Sequence, residues 1–355
     1  MAATRELGEL ALPDPDLLAP LPESLAQRWA RYLYTRPRDP QKTPGLRHHV
    51  LSLYDPFAKR CDFPAGLRLC ANVYVGCPSH CKYCYVRNYV RDSQSPRPKK
   101  DFVRQAAADV RELVTLGTPP VPLHISNSTD PFQEVLETSH GHTLELLRLV
   151  RDNRHLFTTV TFLTKNPLLA SQRQYVELLV SLAPCQVEAS LIFADERGRQ
   201  AYEPGAPSIA ARQEGIIRLR EAHIPVSLRI DPLLPREPLP AEFWRSPWLA
   251  DYGVEGTHSL GEIESLIGFA SEAGCQKIIV SPMKVPVGRY ADREFKEKFR
   301  RLYAAPFGGK PYTRSFAWRL PERYVQETLI GEVRELCRRH GIPLVGCKAN
   351  LINTP

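Results

Sequence analysis

The chain is expected to be an α/β protein built on a parallel sheet, and three patterns in the sequence predict this. Apolar, strand-like runs recur at residues 67–75, 121–126, 158–163, 186–192, 224–230 and 277–280. Apolar residues at helical spacing occupy the gaps between them. Six strands alternating with helices assemble as parallel neighbours joined by right-handed crossovers. The third pattern is chemical. Every run ends at or near polar groups: Cys77, then residues 126–130, Thr164 with Lys165, Ser190, Asp231 and residues 281–284. Turns need polar residues too, but six strands in succession presenting them on one rim matches the active face of parallel α/β barrels.

Residues 1–66 carry many prolines, among them Pro13, Pro15, Pro20, Pro22, Pro37, Pro40 and Pro44. The reading there is an extended arm with one helix over 23–34. Residues 67–285 hold the alternating region. Its helices are marked by Leu144, Leu147 and Val150, and by Leu168, Tyr175, Leu178, Leu179 and Leu182. Two more are marked by Ile209, Ile216 and Ile217, and by Leu260, Ile263, Leu266, Ile267 and Ala270. Residues 286–355 form a basic, aromatic-bearing C-terminal extension. Within it Phe295, Phe299 and Leu302 repeat at i, i+4 and i+7, which predicts an amphipathic helix with its aromatics turned inward.

A chain of 355 residues, 43% hydrophobic, can bury a sizeable core. No apolar run reaches 18 residues, and the first residues lack an apolar signal core, so the expectation is a cytoplasmic protein with no membrane span. Nine cysteines, an odd number scattered along the chain, do not read as a secreted disulfide framework. The net charge of +8 suits a phosphate-bearing or nucleic-acid partner, or a basic solvated surface. Residues 289–323 place ten Lys/Arg and four acids among Tyr290, Phe307, Tyr312, Phe316 and Trp318. Basic groups interleaved with aromatics can take phosphates and unstacked bases.

The most specific signal is Cys77-Pro78-Ser79-His80-Cys81-Lys82-Tyr83-Cys84, three thiols in a C-x3-C-x2-C run. Thiolates suit zinc or iron–sulfur clusters, and both normally take four ligands. A [4Fe–4S] cluster on three cysteines keeps one iron for a small molecule offering an amine and a carboxylate. On spacing alone a structural zinc completed by His80, Cys61 or Cys70 stays open, although the usual zinc pairs are C-x2-C or C-x4-C.

The run, with Asn72-Val73-Tyr74-Val75-Gly76 before it and Tyr85 after it, resembles the radical S-adenosylmethionine (SAM) superfamily, in its spore photoproduct lyase-like branch. The resemblance implies a partial (β/α)6 TIM-type barrel over roughly residues 68–285, with N-terminal and C-terminal extensions. It implies that Cys77, Cys81 and Cys84 hold a [4Fe–4S] cluster, and that SAM is cleaved to a 5′-deoxyadenosyl radical that abstracts hydrogen from a substrate. A one-electron reductant of flavodoxin or ferredoxin type follows as partner. For SAM it implies Tyr83 beside the adenine, Ser128, Thr129 and Asp130 from the second strand, Lys165 from a Thr-Lys-Asn turn, and Ser190 on the fourth strand. Glu203-Pro204, followed by Ser208 and Arg212, resembles the Glu-Pro segment of the same branch. A protein stapled by zinc or iron–sulfur, binding nucleic acid without turnover, is the alternative reading.

One position departs from the lyases. They keep a cysteine shortly before the Asp of the second-strand motif, and its thiol quenches the product radical. This chain has Asn127 there. An amide cannot give a hydrogen atom to a carbon radical as a thiol can, so the expectation is a substrate other than the spore photoproduct, or a radical quenched by a different route. Cys185, Cys275, Cys337 and Cys347 are the other thiols considered. Cys347, beside Lys348, is the candidate catalytic donor, because a neighbouring cation lowers a thiol pKa.

Overall fold

The computed structural model describes residues 49–54, 68–117, 120–182, 184–314 and 316–346. Its main sheet has eight strands whose spatial order follows the chain. They are β1 (Leu51–Tyr54), β2 (Arg68–Ala71), β3 (Val121–Ile125), β4 (Phe157–Thr164), β5 (Cys185–Ser190), β6 (Val226–Leu233), β7 (Ile278–Pro282) and β8 (Leu344–Gly346). β1 pairs antiparallel with β2, and every later pairing is parallel. No pairing joins β1 to β8, so the curved sheet is an open, partial barrel. The first predicted run is interrupted: it forms β2 and a short separate strand, Tyr74–Val75, which pairs with Arg97–Pro98.

Period-2 alternation decides which side of the sheet is core. Val187 and Ala189, Val226, Leu228 and Ile230, and Ile278 and Val280 are buried under the helices. Each such side chain contributes roughly 1.5–3 kcal/mol by leaving water. The helices between strands bury most of the predicted apolar positions, but Ile217 and Leu260 face solvent. One departure is local: the run Leu168–Leu182 is split into helices Pro167–Ala170 and Arg173–Ser181. The Asn166 side chain caps the first by accepting from Leu169 N at 3.2 Å. The helix Leu260–Glu272 begins with a capping box, in which Ser259 accepts from Glu262 N at 3.1 Å and Glu262 accepts from Ser259 N at 2.7 Å.

Segments outside residues 67–285 lend both edge strands. β1 is pinned by Asp109, whose Oδ2 accepts from Val50 N at 2.7 Å and Leu51 N at 2.8 Å. The helix Arg293–Ala304 buries Phe295, Phe299, Leu302 and Tyr303. Those aromatics are core residues, so they cannot stack on a ligand. Tyr312 and Phe316, near the small sheet of Val285–Pro286, Thr313–Arg314 and Ala317–Trp318, are exposed. Among the described residues no helix is long and apolar enough to cross a membrane. The predicted helix over 23–34, Cys61 and Cys347 lie outside the described residues.

Candidate active site

The three-cysteine loop leaves the sheet just after β2. Gly76 turns it with φ +73°, and a Cβ there would stand 2.8 Å from Ser95 O. The loop is then tied on several sides. Cys77 N donates to Ser93 O at 2.9 Å, while Thr129 Oγ1 and Gln133 Nε2 both donate to Gly76 O, at 2.5 and 2.9 Å. Around Cys81 it is held by the segment after β5: Gly205 N donates to Ser79 O at 3.1 Å, and Lys82 N donates to Tyr202 O at 3.0 Å.

Gly205 has to be glycine for that approach, since a Cβ there would fall 1.9 Å from Pro78 O and 2.9 Å from His80 Cδ2. The first obstacle is backbone, so the loop itself would have to move. Gly205→Ala is expected to cost about 1–3 kcal/mol, the usual range for overpacking, and to lower metal occupancy of the loop. Thermal melts and iron content check this, and an unaltered Tm would show that the two segments yield freely.

Cys77, Cys81 and Cys84 are reduced thiols. Burial pushes Cys77 up to about 11, with the Asp130 charge adding to it, and burial likewise raises Cys81 and Cys84. The Cys77 and Cys84 charges both act on Cys81, which marks the three sulfurs as one electrostatic group. Without a cation the site therefore favours neutral thiols. A bound metal reverses that preference, because it stabilises thiolates directly.

Beside the thiols lies a buried charged cluster centred on Glu203, which is 0% exposed. Lys165 Nζ sits 2.6 Å from Glu203 Oε1 and also donates to Ser190 Oγ at 2.6 Å. Arg212 NH1 is 2.7 Å from Glu203 Oε2, and Tyr83 Oη donates to Glu203 Oε1. The Tyr83 ring lies 5.8 Å from Lys165 Nζ. Burial opposes the Glu203 charge, but Arg212 and Lys165 outweigh it and hold the carboxyl down to about 2. Burial opposes the Lys165 charge as well, and Glu203 reverses the balance and raises it.

Two atoms of this cluster are left over. Glu203 Oε2 has its ion pair but no hydrogen-bond partner among the described residues, and Arg212 NH2 has none either. One buried acceptor and one buried donor beside three thiols fit a zwitterion, which brings an ammonium and a carboxylate. The donor set therefore suits a thiolate-held metal cluster with an amino acid-like ligand.

The other predicted site residues are arranged as follows. Asp130 is buried and accepts from Phe132 N at 2.9 Å, Thr164 Oγ1 at 2.8 Å and Lys165 N at 2.7 Å. Its hydrogen bonds thus fix the turn that carries Lys165. Thr129 secures Gly76, while Ser128 N donates to Asn72 Oδ1 at 2.9 Å and Ser128 Oγ lies 3.2 Å from Tyr89 Oη. The structure thus brings Tyr83, Lys165 and Ser190 together with the cysteine loop; Asp130 lies close enough to Cys77 for its charge to act on that thiol, and Thr129 is bonded to Gly76 beside it. Glu203 and Arg212, the centre of the cluster, were legible only as parts of a Glu-Pro segment and a helix. Ser208 is an N-cap, accepting from Ala211 N at 3.2 Å.

Asn127 donates through Nδ2 to Cys70 Sγ at 2.9 Å. Cys185, Cys275 and Cys337 are each buried, and burial pushes each up to about 12. Such thiols behave as small apolar residues.

The fold is an open parallel barrel with a three-thiol loop after its first parallel strand and a charged cluster near its C-terminal rim. Residues 71–239 match the Radical SAM superfamily model. Similar proteins include Mb2609c of Mycobacterium bovis and Rv2578c of Mycobacterium tuberculosis, each 25% identical over 185 residues, 48% of this chain and 50% of the relative. The match spans about half the length of those curated relatives. Among solved structures, spore photoproduct lyase with bound AdoMet and dinucleoside spore photoproduct superposes with a TM-score of 0.56 at 11% identity, covering 83% of this chain and 78% of that one. SuiB of Streptococcus suis bound to S-adenosylmethionine gives a TM-score of 0.51 at 11% identity, covering 80% and 51%. At those identities the likeness is one of fold.

Proposed function

We propose that this protein is a radical SAM enzyme that takes hydrogen from a substrate still to be identified. The observation that carries the reading is the pairing of two features on one rim: three thiols in an eight-residue loop, and a buried Glu203–Lys165–Arg212 cluster with one donor and one acceptor to spare. Cys77, Cys81 and Cys84 are assigned to a [4Fe–4S] cluster. When bound, that cluster and SAM supply a 5′-deoxyadenosyl radical for hydrogen abstraction.

The chain's own residues do the positioning. Glu203 Oε2 takes the ammonium of the amino acid end, and the cations Lys165 and Arg212 balance its carboxylate. Ser190 fixes the Lys165 ammonium, and Asp130 fixes the Lys165 backbone. Tyr83, between two cluster ligands in sequence, carries the tie from the loop to Glu203. Removal of water from this cluster strengthens each charge contact, since little dielectric screening is left. The family needs a one-electron reductant, and a flavodoxin or ferredoxin type is assigned here.

Substrate assignment is open between a nucleic acid, favoured by the net charge of +8, and a peptide or small molecule. The test is anaerobic reconstitution followed by reduction with SAM. Release of 5′-deoxyadenosine is expected, and deuterium transferred into it from labelled candidate pools identifies the hydrogen source. Lys165→Ala should weaken SAM binding roughly ten- to hundredfold, the effect of losing a hydrogen bond to a charged group, while iron content is kept. Unchanged SAM affinity would remove Lys165 from the site.

A further inference from the structure

A cavity of about 520 Å³ uses the cysteine loop as one wall, through Pro78 and Ser79. Its other walls come from the segment after β3, the turn after β4 and the segment after β5. None of the three cysteines lines it, and neither does Tyr83, Lys165, Glu203 or Arg212. It is therefore separate from the site already described, and its size is that of a small-ligand pocket. Pro78, Phe132, Val135, Leu136, Leu168 and Pro207 make most of the wall apolar. Val135 is 77% exposed, so the cavity has an apolar edge open to solvent.

The polar groups of this cavity are acceptors and acids. Gln133 lines it and is 3% exposed. Its Nε2 donates to Gly76 O at 2.9 Å, Thr129 Oγ1 at 2.9 Å and Asp130 O at 3.0 Å. Those bonds fix which end of the amide is which, since a flip would set its oxygen against two carbonyl oxygens. They account for the donor end only. Oε1 is buried with no hydrogen-bond partner among the described residues. An orphan acceptor is costly, and a ligand that brings a donor removes the cost. Two carboxylates stand beside it. Asp130 is buried, and its charge reaches as far as Cys77; Glu134 is exposed. Among the described residues no Lys, Arg or His lines the cavity.

We propose that this cavity binds a primary alkylammonium group. The apolar walls take the alkyl stem, Gln133 Oε1 accepts from the ammonium, and the Asp130 and Glu134 carboxylates balance its charge. An anion would meet two carboxylates and no cation. A neutral alcohol could donate to Oε1 and would gain nothing from the two charges. A purely apolar ligand would leave Oε1 as it is. The same ammonium ends a free aliphatic amine and a lysine side chain of a peptide. Nothing in this site uses the metal cluster or SAM, so it stands apart from the radical reading of the rim.

The test is isothermal titration calorimetry on the anaerobically reconstituted full chain at pH 7. Pentylammonium should bind saturably, and 1-pentanol and pentanoate at least tenfold more weakly. N-acetyl-lysine N-methylamide separates the two sources: tighter binding than pentylammonium assigns the site to a peptide lysine, and weaker binding to a free amine. Ala211→Leu enlarges a side chain of the cavity wall and should remove binding. Glu134→Gln, a change at an exposed position, should weaken pentylammonium several-fold and leave 1-pentanol as it is. Circular dichroism and iron content show whether each variant is folded and loaded. Absence of saturable pentylammonium binding, equal binding of the alcohol or the carboxylate, or full affinity in both variants would overturn the assignment. The readout is binding alone, so failure to release 5′-deoxyadenosine would count against the rim and not against this cavity.

Discussion

Cys81→Ala is expected to lower iron content at least tenfold and to abolish release of 5′-deoxyadenosine. The loop around Cys81 is held by backbone bonds, Gly205 N to Ser79 O and Lys82 N to Tyr202 O, and none of them uses the sulfur. The variant should therefore fold with the loop in place and lack only a ligand. Two thiolates cannot hold what three hold, because metal binding free energy is large and is shared among the ligands. Anaerobic iron and sulfide analysis reads this directly, together with the visible absorbance of the reconstituted protein. A Cys81→Ala protein with wild-type iron would take Cys81 out of the ligand set. Stoichiometric zinc with no iron in the wild type would point instead to a metal-stapled protein without turnover.

The second large effect is expected from Glu203→Gln. Lys165 and Arg212 share this one buried carboxylate, and both Arg212 and Glu203 are 0% exposed. An amide of the same shape leaves the two cations without their countercharge. Breaking a buried pair in this way typically costs about 3–5 kcal/mol, and loss of SAM affinity should accompany it. The pH dependence is specific. The Glu203 pKa is depressed from 4.5 to about 2, so its contribution is fully present above pH 4.5 and disappears only as the pH falls through about 2. Urea unfolding should therefore show the full deficit of the variant at pH 7 and a smaller deficit at pH 3. Equal stability of variant and wild type at pH 7 would show that the cluster contributes nothing net. SAM affinity of the wild type should not vary between pH 5 and 8 through this residue.

Much of the architecture was legible along the chain because it is set by local periodicity. The six runs became the parallel core of the sheet, and Phe295, Phe299 and Leu302 buried one helix face as their spacing required. The cysteine loop was readable for a related reason: all three sulfurs lie within eight residues, so their proximity does not depend on the rest of the fold. Lys165 and Ser190 were singled out because each stands at the end of a strand, and strand ends share a rim.

Glu203 and Arg212 were not assigned a place in the site, and distance along the chain is the reason. Glu203 follows Cys81 by more than a hundred residues, and it reaches the loop only because Gly205 lets two backbones approach. The same holds for the edge strands, which come from the segments read as an arm and an extension. Asp130 shows a second kind of limit. Its residue type suggested a charge facing a ligand, and only the folded chain could show three of its hydrogen bonds going to protein donors.

The sequence by itself determined the parallel α/β class, the three-thiol loop and the polar strand ends, since each is written in neighbouring residues or a short period. Tertiary structure alone decided which charges meet and which are spent on holding the chain. Those are outcomes of strand register and of contacts between segments far apart in the chain, and neither leaves a local pattern to read.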